Sequence, residues 1–225
     1  MPCRAALSRP WSRLFPTIDH MAEVTADYED PISSRSRIIA AAVRLTCADG
    51  WSKVTMGRLA GEAGVSRQTV YNAVGSRENL AEAMVLTESA KFVFTIVEGF
   101  ENHPDDLLSA IHAAVENTLV LAEGNALLRA VVSATHGADT ELLPLLTTHS
   151  EPLLGTLMVV VQDRVDQYEI DLEPEQITAI IDMVVRSALS HVMQPTATPR
   201  KTADSITWFV ARILGRAGEL TGSRA

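Results

Sequence analysis

The chain has 225 residues and a formal net charge of −9, with 47% hydrophobic but only 5% aromatic residues. Its apolar content is mostly Ala, Val, Leu and Ile, a mix that suits helices more than a sandwich of short strands. Two cysteines in dissimilar surroundings, Cys3 and Cys47, exclude a disulfide framework, and no run reaches the ~20 apolar residues of a membrane span. A reducing cytoplasm is the expected location, with no membrane partner.

Residues 1–32 hold Pro2, Pro10, Pro16, Arg4, Arg9 and Arg13, which interrupt any secretory signal, and are expected to form a disordered leader. The next segment, 33–80, carries seven basic residues (Arg35, Arg37, Arg44, Lys53, Arg58, Arg67, Arg77) against Asp49, Glu62 and Glu78. Residues 81–225 are strongly acidic. A small basic module fused to a larger acidic one points to a polyanion-binding face or to an ordinary solvated surface, and charge alone does not separate them.

Periodicity places the parts in chain order. In SRSRIIAAAVRLTCADG, Ile39, Ala42, Val43 and Thr46 form one helical stripe, capped by Ser34 or Ser36 and ended by Gly50. Thr55 caps a short helix through Met56, Leu59, Ala60 and Ala63, and Gly64 permits a tight turn. Ser66 then caps a third helix through Thr69, Val70 and Tyr71. Gly75 and Ser76 break the chain before a long helix that starts at Arg77 and runs to about Glu98. The order is helix, short helix, tight turn, helix: a helix-turn-helix.

The residue types suit that motif. Leu59, Ala60, Ala63, Val65 and Val70 let two helices cross closely, freeing the outer face of the second to enter a major groove. Arg67, Gln68 and Asn72 are residues that bond base edges. Ser66, Thr69, Tyr71 and Thr55 offer hydroxyls to phosphate, and Arg77 adds a cation. A three-helix protein-interaction module with a polar face is the competing reading.

The stretch TMGRLAGEAGVSRQTVYNAVGSRENLAEAM resembles the DNA-binding motif of the TetR family of bacterial transcriptional repressors. Thr55, Ala60, Ala63-Gly64-Val65-Ser66, Thr69, Tyr71, Arg77 and Leu80 carry the match. The family often has Phe where Val74 stands and Lys where Arg77 stands. The resemblance is specific over about 35–85 and implies an all-α protein with two parts: a helix-turn-helix domain at 33–80 and a ligand-binding and dimerisation domain at 81–225.

Beyond the motif, helices are expected at about 105–122, 125–136, 140–168, 174–193 and 202–217, with Pro152 kinking the third and Pro174 starting the fourth. Two C-terminal stripes, Ile177, Ile180, Ile181, Val184, Ala188 and Val192, then Ile206, Phe209, Val210, Ile213 and Ala217, either pack on the core or join a second copy. The resemblance implies the homodimer, which matches a palindromic double-stranded operator.

It also implies an effector pocket among the central helices. This chain offers Met84, Phe92, Ile111, Val115, Leu119, Leu128, Val132, Leu154, Met158, Val161, Ile180 and Met183 there. Asn117, Thr118, His112 and His136 are candidate polar handles. Such a set suits an elongated apolar ligand: a fatty acid, an acyl derivative or a hydrophobic drug. Nucleophile-elbow, phosphate-loop and zinc-helix motifs are missing from the sequence, so neither an enzyme nor a cofactor or metal site is expected. A metal-sensing regulator is the minor alternative.

Overall fold

The computed structural model describes residues 34–133 and 151–221. The described residues form nine α-helices and one 3-10 turn, the all-α architecture expected. The chain divides into two compact units between Ala90 and Lys91. The expected leader, the stretch 140–150 and His136 lie outside the described residues.

In the first unit, helix α1 (Ser34–Asp49) buries Ile38, Ile39, Ala41, Ala42 and Leu45. A 3-10 turn at Trp51–Lys53 places the Trp51 ring at 1% exposure. Helices α2 (Met56–Ala63) and α3 (Arg67–Val74) follow, both packed on α1. Thr55 accepts the Arg58 amide at 3.3 Å and Ser66 accepts the Thr69 amide at 3.0 Å, so both expected N-caps form. Gly64 adopts φ 65°, a left-handed conformation that side chains disfavour, while the Val65 amide reaches back to the Ala60 carbonyl at 3.0 Å. Helix α4 (Arg77–Glu101) begins in this unit. Its Leu80, Ala81, Ala83, Met84 and Val85 are buried, which is why the unit extends past residue 80.

In the second unit, helices α5 (Leu107–Gly124), α6 (Ala126–Ser133), α7 (Glu151–Val165), α8 (Pro174–Met193) and α9 (Pro199–Thr221) follow the end of α4. Helix α5 packs along α9 and also meets α8, which in turn contacts α7. The core holds Ile96, Phe100, Ile111, Val115, Val161, Val165, Ile181, Ile206 and Val210. Removing each such side chain from water contributes about 1.5–3 kcal/mol. Pro174 opens α8 as expected, inside a capping box of Glu173 and Gln176. Asp106 caps α5, and the Ser109 hydroxyl and then its amide hold that carboxyl below the usual carboxylate range. Tyr168 donates to the His103 carbonyl at 2.8 Å and meets Phe100 edge-on, tying the end of α7 to the α4–α5 connection.

Gly99 marks a close approach between α4 and α5. A Cβ there would sit 2.7 Å from the Ala114 nitrogen and 2.8 Å from its Cα. That neighbour is backbone and cannot swing aside. Gly99→Ala is therefore expected to destabilise the second unit by about 1–3 kcal/mol despite alanine's better helix propensity. A thermal melt unchanged or raised in that variant would contradict the packing described.

Candidate nucleic-acid interface and apolar cavity

The exposed face of α3 is set by its period. Val70 and Val74 point into the first unit, so Arg67, Gln68, Tyr71 and Asn72 lie exposed together, with Thr69 at the edge. Tyr71 is half exposed although it is large and aromatic. Gln68 Nε2 donates to Asn72 Oδ1 at 2.9 Å. The pair then presents one amide oxygen and one amide nitrogen outward, a donor–acceptor set that fits an adenine edge. Arg67 lies against the first turn of α2, where a Cβ on Gly57 would come within 3.2 Å of its Nη2. Ser66 and Thr69 share a 2.8 Å hydroxyl contact at the N-terminus of the helix, where an anion is favoured.

Sequence reasoning placed Arg77 on phosphate, but the structure turns it inward. Its guanidinium donates to the carbonyls of Trp51 at 2.8 Å and Val54 at 3.2 Å, and stacks over the Trp51 ring at 4.6 Å. The cation braces the loop that leads into α2. Beside it, the Ser76 hydroxyl holds the Glu78 carboxyl below its usual range, followed by its own backbone amide.

Other charges of the basic segment are also engaged. Arg37 caps the C-terminus of α2 through the Ala63 carbonyl, Arg44 meets Glu62 at 3.1 Å, and Arg58 pairs with Asp49. The outward positive field is therefore weaker than the residue count implies. The bracing roles of Arg37 and Trp51 were missed because their partners lie far off in sequence.

The second unit contains an apolar cavity of about 90 Å³, lined from α4, α5, α7, α8 and α9 and from the segment before α8. Of the residues expected to hold a ligand, Ile111, Val115, Val161 and Ile180 line it. Thr118, one of the four candidate polar handles, lines it too, together with Ile96, Phe100, Leu107, Leu157 and Leu214. On α5 the sequence pointed to Ile111, Val115 and Thr118, and Leu107 and Ala114 complete the same face of the helix. A second cavity of about 270 Å³ is lined by Leu119, Leu128, Arg129, His191 and Thr202, and shares Val192 with the first.

The remaining candidates lie elsewhere. Met84 is fully buried in the first unit. Phe92 is half buried on α4, and Leu154 and Met158 pack on the core without lining the cavity. Asn117 and Met183 are exposed, because each falls on the opposite side of its helix from the buried stripe. His112 joins α5 to α9 through Asp204 at 2.8 Å. The side chain of Val132, like His136, lies outside what is described.

The residues expected at a dimer interface divide in two. Ile177, Ile181, Val184, Ala188, Val192 and Val210 line the apolar cavity. Ile206 is buried, Ile213 is half buried, and Phe209 is exposed. The apolar surface these helices do present is Met183 and Leu189 on α8 with Trp208 and Phe209 on α9. Among the described residues, no group of three His, Cys, Asp or Glu side chains is placed to hold a metal, and no helix is long and apolar enough to cross a membrane.

Comparison with known proteins gives a consistent picture. Residues 38–84 match the model for bacterial regulatory proteins of the tetR family, and residues 106–212 match that for the C-terminal domain of the bacterial tetracyclin repressor. The chain is 23% identical over 168 residues to the HTH-type transcriptional regulator AlkX of Mycobacterium tuberculosis, covering 75% of this chain and 79% of that protein. The solved structure of the TetR family repressor AlkX from Dietzia sp., implicated in biodegradation of n-alkanes, superposes with a TM-score of 0.64 at 29% identity. That match covers 82% of this chain and 97% of the other. The multidrug binding protein EbrR, solved with imidazole, shares the fold at a TM-score of 0.54 and 16% identity, over 78% and 94% of the two chains.

Proposed function

Because the chain belongs to the TetR family of bacterial transcriptional regulators, we propose that it acts as a homodimer that represses from a palindromic operator and is released by a hydrophobic small molecule. The observation that carries this reading is the exposed polar face of α3 on a capped helix-turn-helix. In this assignment Gln68, Asn72 and an extended Arg67 read bases. Tyr71, Thr69, Ser66 and Thr55 hold phosphates, and Arg77 positions the motif from behind. Selection from random duplexes tests it. An inverted repeat with half-sites about one helical turn apart is the expected product. Recovery of sequences that share no inverted repeat would remove the operator assignment.

The effector is a chain-like apolar molecule, such as a fatty acid, an acyl derivative or a hydrophobic drug. The cavity wall supports this, and so does the likeness to a repressor implicated in n-alkane biodegradation. At about 90 Å³ the cavity is smaller than the ~150 Å³ apolar cavity that accepts benzene. A long chain must therefore displace half-buried wall residues such as Leu107, Leu157, Ile177 and Val192. That displacement is what gives the ligand a preference for one conformation, since equal affinity for both would shift nothing. Helix α4, whose residues belong to both units, is the route by which the change reaches α3.

A further inference from the structure

Thr118 has a hydroxyl for which the described residues supply no partner. The residue is 9% exposed, and its Oγ1 is buried without a hydrogen bond. Four other helical threonines of this chain behave differently. Thr46, Thr87, Thr95 and Thr178 each donate to the carbonyl four residues back, at 2.8, 2.7, 2.9 and 3.0 Å. That local bond is the ordinary way a helix satisfies a threonine. Thr118 has the Ala114 carbonyl at the same spacing but does not use it.

It lines the apolar cavity instead, and every other lining side chain among the described residues is hydrocarbon. Thr207 Oγ1 is also unpartnered, but Thr207 is not part of that wall. A buried, unmade hydrogen bond is destabilising, so the hydroxyl is unfavourable for packing alone. Water is a poor occupant, because it needs two to four polar partners and this wall offers one.

We propose that Thr118 is the polar anchor of the effector cavity, and that the ligand is a hydrocarbon chain bearing one uncharged oxygen function: an alcohol, aldehyde or ester. This rests on the apolar-effector reading and narrows it. An unfunctionalised alkane leaves the hydroxyl unmet. A carboxylate brings a charge that no cation in this wall compensates.

The test measures binding of decane, 1-decanol and decanoate to the full-length protein at neutral pH, by displacement of a bound apolar dye. In the wild type, 1-decanol is expected to bind more tightly than decanoate. Thr118→Val is close in shape, removes the orphan hydroxyl and should melt no lower than wild type. It should shift the 1-decanol-to-decane affinity ratio against the alcohol by roughly 5- to 100-fold, while Thr118→Ser keeps the wild-type ratio. Thr118→Ala makes the same comparison should valine not be accommodated. An unchanged ratio in both Val and Ala variants overturns the anchor but leaves the effector cavity standing. Tighter binding of decanoate than of 1-decanol overturns the uncharged assignment. Binding of no probe overturns this inference and the effector reading together.

Discussion

Tyr71→Ala is expected to weaken binding to every duplex, specific or not, whereas Gln68→Ala is expected to change preference at one position of each half-site. Tyr71 is half exposed on the outer face of α3 with Arg67, Gln68 and Asn72, where its hydroxyl would donate to a phosphate oxygen. A hydrogen bond to a charged group contributes about 1.5–3 kcal/mol. A two-fold protein loses it twice, so the affinity should fall roughly 10²- to 10⁴-fold. The Gln68 change removes one member of the 2.9 Å amide pair with Asn72 and costs about 1–3 kcal/mol per half-site on the preferred base only. Neither side chain is part of the buried core, so melting curves should match wild type. Fluorescence anisotropy on operator and scrambled duplexes separates the two outcomes. Equal losses on both duplexes for Gln68→Ala would demote it to a backbone contact.

The second large effect concerns assembly. Met183→Glu combined with Phe209→Glu is expected to give folded monomers. Both residues are exposed, at 57% and 43%, and both line one groove between α8 and α9, so charge there does not enter the core. A charge at Val184 would test something else, because that side chain lines the apolar cavity. Loss of the second half-site removes the avidity of a two-site binder, about 10²- to 10⁴-fold. Sedimentation reads the oligomeric state directly. A double variant that stays dimeric places the interface away from this face.

The helix-turn-helix was legible because its signals are local. Thr55 and Ser66 cap within three residues, Gly64 answers to one backbone conformation, and the α3 face follows from a period of 3.6. Arg77 was read as a phosphate cation because sequence shows a charge but not the carbonyls of Trp51 and Val54 it meets. The C-terminal stripes show the remaining limit. Ile177, Ile181, Val184 and Ala188 recur at helical spacing, which says they face something apolar but not whether that is a core or a second copy. They line the cavity, together with the partly exposed Leu189, while Met183, Trp208 and Phe209 lie outside it. Thr118 was legible as a candidate handle, but its missing back-bond depends on a rotamer that no sequence pattern encodes.

The most direct test of the account titrates straight-chain alcohols, esters and acids of increasing length into the protein–operator complex while anisotropy reports release. The cavity and its yielding wall predict release that strengthens with chain length until the chain outgrows the space. Release only by charged or sugar-like compounds, with no response to any chain, would contradict it.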